Sequence, residues 1–352
     1  PHPDVPQTRV DAAIAKGLDY LRANVDKIIS DGAAKPSGDV SELALLTLLK
    51  GGAPDTDPAV QKLLEAVLKK PLEKTYTVSV MAMALEELER DKYQLKIYQC
   101  AQFLVDNQLG NGRWTYGQSF QSVTDIASLP PPPKSVKSGG AAKPPPPGAP
   151  GVKVKPTVKR KIPVTKKNDP PFKGYEGDNS NSQYASLGLR ACHDAGIVIP
   201  KDLLVKARTS WAELQHAAGG NQPPANGVAS GPGPIHPRGW CYQKGIPCGQ
   251  GGPAYGSMTA GAISAVCIYD FLIGENWKKD KVVLDGIAWM GKNFTPSENP
   301  GPSEIGKTPT AYLYYYLYAV ERVGLLFDTT HFDTHDWYKV GALFILDQQT
   351  SD

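Results

Sequence analysis

Two short stretches of this chain bring metal-binding or redox-active side chains close together. "HFDTHD" places His331, Asp333, His335 and Asp336 in one run of six. Imidazole and carboxylate are common ligands for zinc-like ions. This run opens a helical pattern, however, where Asp and His also serve as caps and solvated side chains. The reading is therefore no metal and no cofactor, with His331, Asp333 and His335 as the set a metal would use. Cys241 and Cys248 lie seven apart in a Gly/Pro-rich loop and could close a small disulfide ring if the compartment is oxidising. Cys100, Cys192 and Cys267 fall within apolar helical patterns and read as core residues. A single carboxylate, Asp178, precedes the helical pattern in "GDNSNSQYASLGL"; the ordinary role of such an Asp is a helix cap.

The elements that must position these groups are helices. Hydrophobic residues make up 41% of 352, enough for a substantial core. No apolar run reaches the ~18 residues of a membrane span. The most apolar stretch, Ala311 to Val320, is short and carries five tyrosines. Apolar residues recur at helical spacing at Val10, Ile14, Leu18 and Leu21. Asp39 and Glu42 have capping-box spacing ahead of "LALLTLL". Asp57-Pro58, a cap followed by proline at the first helical position, opens a one-faced helix through Leu68. Residues 75–88 are apolar on most sides, and Leu95 to Asn107 is one-faced. Further patterns cover Ser182 to Ala195, Leu203 to His216, Ser257 to Ile273, Lys281 to Lys292, Thr310 to Val323 and His335 to Gln348. That is eleven helices, alternately one-sided and buried all round.

A helix buried on every side needs neighbours on every side. Helical hairpins in a closed ring, or a superhelical stack, satisfy this. "FLVDNQLGNGRW" contains Phe103 and Leu104, then Gln108, Gly112 and Trp114. The spacing resembles the QW repeat of squalene and oxidosqualene cyclases, which is related to the repeat of protein prenyltransferase β subunits. In that family the glutamine caps helix ends and the tryptophan packs on it. The resemblance implies an all-α fold, the α/α toroid of six hairpins, spanning 1–352 as a single domain. Weaker copies appear at Gly239-Trp240-Cys241-Tyr242, Tyr20-Leu21, Trp289-Met290 and Phe344-Ile345 with Gln349. Since the last inner helix is missing from the count, the expectation is that the chain continues past Asp352 with "G-x-W" and another buried helix. The rival account has a partner subunit or residues 1–8 fill the gap.

The family's chemistry is not carried over. Cyclases of the protonating type use an Asp-rich motif at an inner helix; here Ser180, Ser182 and Gln183 stand at the matching positions, and none can supply that proton. The prenyltransferase zinc site needs a His on an inner helix near the C-terminus, and "TAYLYYYLYAVERVG" has none. In "PCGQGG", Cys248 and Gln250 are one residue too close for the thioester of complement-like toroids. What remains is a ring mouth of neutral polar and aromatic groups beside Asp178: Asn179, Asn181, Gln183, Tyr184, Tyr255, Ser257, Thr259, Tyr312, Tyr315 and Tyr316. Amides with aromatic faces suit glycan or peptide chains better than a polyprene; the bland alternative is that the tyrosines simply fill the ring.

From Pro130 to Pro171 the chain carries ten Lys/Arg, one Asp and thirteen prolines, about +9 against roughly −6 elsewhere. The segment reads either as an unstructured loop or as an arm lying on an acidic surface of its own body or a neighbouring subunit. Its basic residues are not interleaved with aromatics, which argues against nucleic acid. A chain beginning at Pro1 fits removal of a secretory signal or a trimmed end. The preferred function is an exported, non-catalytic binding or assembly platform; the alternative is an enzyme of the toroid fold, terpenoid-type or a polysaccharide lyase.

Overall fold

A computed structural model describes residues 2–35, 39–120, 155, 158–172, 174–216, 233–242, 253–301 and 308–350. It is all-α apart from four two-residue strands, with twelve α-helices among the described residues. Two compact units are distinguishable, and one helix contributes to both.

Unit 1 comprises residues 1–107, 116–170 and 187–200. It holds α1 (Gln7–Ala23), α2 (Val25–Ala34), α3 (Ser41–Lys50), α4 (Pro58–Lys69), α5 (Thr75–Glu89), α6 (Gln94–Asp106) and the second half of α7 (Asn179–Asp194). Helix α2 is absent from the sequence reading. Its face is nevertheless at helical spacing, with Val25 and Gly32 buried and Ile28 and Ile29 half-buried on the same side. Asp57 caps α4 as expected, accepting from the Ala59 amide at 2.8 Å with Pro58 at the first helical position. The expected capping box at Asp39 and Glu42 does not form. Asp39 accepts from the Ser41 amide at 2.9 Å, and Glu42 instead meets Lys70 at 3.1 Å. Helices α3 and α5 pack on each other, α3 also meeting α4 and α5 also meeting α6; α5 is buried on most sides, whereas α3, expected to be buried nearly all round, exposes Leu43, Thr47 and Lys50 along one stripe.

Helix α6 departs from expectation. It reads as one-faced, yet it is buried along most of its length. The reason is the end of the basic insert. Residues 158–168 lie as an extended strap along the polar stripe of α6, burying Val158, Ile162 and Val164. Gln94 donates to the Arg160 carbonyl and Gln102 to the Thr165 carbonyl, each at 2.8 Å. Asp106 accepts from the amides of Lys167 and Asn168 at 2.7 and 3.1 Å. The strap also forms β1 (Ile162–Pro163), which pairs in parallel with β2 (Ile197–Val198). Lys155 pairs with Glu86 and Glu87 at 2.8 Å. This portion of the insert is packed on its own unit, held mainly through its main chain; residues 121–154 are outside the described set.

Unit 2 comprises residues 108–115, 171–186 and 201–352. It holds the first half of α7, then α8 (Lys201–Glu213), α9 (Gly256–Ile273), α10 (Lys281–Asn293), α11 (Leu313–Phe327) and α12 (Trp337–Gln348). Helix α9 packs against α8, α10 and α11. Contrary to the sequence reading, α9 and not 311–320 is the most apolar element. Its 18 residues reach a mean hydropathy of 1.5, enough by length and composition to cross a membrane, but 83% of that window is buried within the protein. The "HFDTHD" run forms a hairpin, β3 (His331–Phe332) with β4 (His335–Asp336), rather than the loop expected. Asp336 then caps α12 by accepting from the Lys339 amide at 2.9 Å.

At the far end of α9 lies a buried carboxylate, Asp270, facing Arg208 of α8 at 3.2 Å and Asp280, the N-cap of α10. Arg208 also pairs with Asp280. Burial, followed by the charge of Asp280, pushes the Asp270 carboxyl up to about 7 despite Arg208. Between pH 4 and 7 the folded protein therefore keeps a proton that the unfolded chain has already shed. Unfolding free energy is expected to fall over that range as pH rises. Asp270→Asn should flatten this slope and stabilise the protein at pH 8 by on the order of 1 kcal/mol or more. Chemical denaturation at several pH values checks it; an unchanged slope in the variant would remove Asp270 as its source.

Candidate functional site

The helix starts in unit 2 are held by a device that occurs twice. The Trp114 carbonyl accepts from the Asp178 amide at 2.9 Å, and its amide donates to Ser182 Oγ at 3.1 Å. At the second copy, the Trp240 carbonyl accepts from the Tyr255 amide at 3.1 Å and its amide donates to Thr259 Oγ1 at 3.1 Å. Each tryptophan backbone thus satisfies an otherwise unbonded amide at a helix start and grips a hydroxyl four residues on. Both indoles are fully buried.

A buried glutamine accompanies each tryptophan. Gln108 Nε2 donates to the carbonyls of Gly112 and Leu203, at 3.2 and 3.0 Å. Gln215 Nε2 donates to those of Arg238 and Val282, at 3.3 and 2.9 Å. The two tryptophans correspond, so Arg238 holds the place of Gly112 and Gly239 that of Arg113. The sequence reading found Trp240 but missed Gln215, because a long insertion separates the pair. The usable signal was a glutamine closing the α8 pattern. Gly112 is required by its own backbone: φ is +86°, and a Cβ there would strike the Lys206 carbonyl.

These contacts occupy most of the side chains expected to line a ring mouth. Asp178 is a cap, accepting from Ser180 Oγ at 2.7 Å and from the amide and Nδ2 of Asn181 at 2.8 Å. Asn179 accepts from Arg113 at 3.0 Å and donates to the Cys241 carbonyl at 2.6 Å. Burial lowers the Arg113 guanidinium to about 10. Ser257 is bracketed by Asn299, which accepts from its amide at 2.7 Å and donates to its hydroxyl at 3.1 Å. Asn299 gave no sequence signal, since only tertiary contact brings it to Ser257. Tyr255 is buried, and burial pushes the Tyr316 hydroxyl well above its usual range. Tyr312 is exposed, in a left-handed conformation at the start of α11.

Three of the expected residues do converge. Tyr315 of α11 donates its hydroxyl to Gln183 Oε1 on α7. The Tyr184 and Tyr315 rings stack with centroids 6.2 Å apart and planes 21° apart. Gln183 is fully buried, and its Nε2 has no protein acceptor. Gly261 of α9 leaves room for it, since a Cβ there would collide with the Gln183 amide. The group is neutral: two half-buried aromatic faces above an amide with donor capacity to spare. The two ring faces can meet a ring face or an apolar edge, while the Gln183 amide is out of solvent reach.

The remaining candidates are dispersed. His331 and Asp333 are exposed, His331 bonding Thr330 at 2.9 Å, while His335 tilts against Phe294 with centroids 5.8 Å apart. Among the described residues, no three His, Cys, Asp or Glu are grouped to hold a metal ion. Cys241 is disulfide-bonded, whereas Cys100, Cys192 and Cys267 are free and buried. Cys248, its expected partner, is outside the described residues. Comparison with known proteins finds no matching family model, no matching curated protein and no matching solved structure.

Proposed function

We propose that this chain is a non-catalytic, exported binding platform of the α/α-toroid type, taking a neutral glycan or peptide chain on Tyr184 and Tyr315. The observation that carries the reading is the convergence of two stacked tyrosines over the buried, half-unbonded Gln183 amide. The only carboxylate among the expected mouth residues, Asp178, is engaged as a helix cap. Support for the toroid comes from the repeated Gln–Trp device and from the alternation of buried inner-type helices with partly exposed ones. Support for export comes from the disulfide at Cys241, since such bonds persist in oxidising compartments.

Calorimetric titration with neutral oligosaccharides and short peptides tests the site. Tyr184→Ala is expected to weaken binding at least tenfold, about 1.4 kcal/mol, and Gln183→Leu to weaken it by removing the acceptor that holds the Tyr315 hydroxyl. Turnover of a squalene-like or uronate substrate that disappears in Tyr184→Phe or Asp178→Asn would replace this reading with an enzymatic one.

A further inference from the structure

The polar and aromatic surface of α11 continues beyond the tyrosine pair. Tyr315, Tyr318 and Arg322 stand at i, i+3 and i+7, so they share one side of the helix. Leu313, Tyr316, Val320 and Val323 are buried on the opposite side, where α11 packs on α9. At a rise of about 1.5 Å per residue, the stripe runs roughly 10 Å from Tyr315 to Arg322. All three side chains are partly exposed. Burial nevertheless pushes the Tyr318 phenol up, so this ring is recessed among its neighbours rather than set on an open surface. The Arg322 guanidinium lies over it, 5.2 Å from the ring centroid. Arg322 also donates to Glu321, from Nε to Oε2 at 2.6 Å and from Nη2 to Oε1. The two charges cancel in this fork. It uses two of the five N–H donors of the guanidinium, and the carboxylate keeps acceptor positions to spare.

We infer, on the reading of Tyr184 and Tyr315 as a binding platform, that its ligand is a linear neutral glycan rather than a peptide. One ring lies on the tyrosines, and the hydroxyls of a further ring bind the Glu321–Arg322 fork. A pyranose offers an apolar C–H face to an aromatic ring and carries its hydroxyls around the edge. Each hydroxyl both donates and accepts, so neighbouring hydroxyls serve the carboxylate and the guanidinium together. A proline-rich peptide, the form of main chain that docks on aromatic surfaces, brings carbonyl acceptors but few N–H donors. It would leave Glu321 unserved. An acidic glycan would set its own carboxylate against that of Glu321, and the fork has no net charge to attract it. The stripe is longer than one pyranose ring, so the ligand has two rings or more.

The full chain is titrated with linear neutral glucose oligomers of one, two and three rings, followed by ligand-observed NMR. Affinity is expected to rise about tenfold from the single ring to the trimer, the effect of one or two hydrogen bonds to charged groups. The paired substitution Glu321→Met and Arg322→Met replaces the fork with side chains of similar length that lack a donor. It is expected to abolish that rise and to leave single-ring binding unchanged, which also shows the variant to be folded. Tyr184→Ala is expected to weaken every oligomer, the single ring included. A wild-type affinity that does not rise with chain length, or a rise that survives the paired substitution, would overturn the role of the fork and leave the platform standing. Binding of short peptides but of no oligomer, lost in Tyr184→Ala, would overturn the glycan and likewise leave the platform. Binding of neither class would overturn the platform and the glycan together.

Discussion

Trp114→Ala is expected to lower the unfolding free energy by ~3–5 kcal/mol, and Trp240→Ala to do the same. Both indoles are fully buried, and each backbone anchors a helix start. The effect should not be confined to the lost apolar area. Trp240 Nε1 donates to the Trp211 carbonyl at 2.8 Å, so its removal also strands that carbonyl. Gln108→Ala should cost less, ~1–3 kcal/mol, because it frees two carbonyls without opening a large cavity. Urea unfolding of the three variants gives the ordering. A tryptophan variant that loses less than the glutamine variant would mean that the site collapses around the missing ring, and that the device matters less than its burial suggests.

Asp106→Ala is expected to release the strap and to cost ~2–4 kcal/mol. The carboxylate is fully buried and accepts three hydrogen bonds, from the Lys167 and Asn168 amides and from Asn168 Nδ2 at 3.0 Å. Alanine removes all three acceptors at once. Asp106→Asn should be milder, since Oδ1 can still accept from the two amides while its new NH2 faces the NH2 of Asn168. Hydrogen exchange at Ile162 and Val164 reads the local effect directly. Faster exchange there, with α9 unaltered, is the expected pattern; strap amides protected as before would show that Ile162 and Val164 hold it without Asp106.

Local rules made much of this arrangement legible. Apolar periodicity located eleven of the twelve described helices, and the Asp57-Pro58 start was readable because a cap and a missing amide act within one turn. Gln108 and Trp114, singled out by their spacing from Phe103, are both buried and bonded. The tyrosines at 312–318 and the amides at 179–183 were likewise visible as a neutral, aromatic set.

Tertiary structure decided which of those residues meet. Tyr315 and Gln183 are separated by 132 positions, and nothing local distinguishes Tyr315, which reaches the amide, from Tyr312, which faces solvent. Gln215 escaped notice because its tryptophan is displaced by an insertion that leaves the three-dimensional contact intact. The burial of α6 was illegible for a related reason. Gln94, Gln102 and Asp106 look like a solvated face, and only a distant segment with main-chain groups to bond makes burying them favourable. Sequence alone determined the helices, whose hydrogen bonds close within a few residues. The strap and the Tyr184–Gln183–Tyr315 group depend on desolvated polar contacts between segments far apart in the chain, and those exist only once the chain has packed.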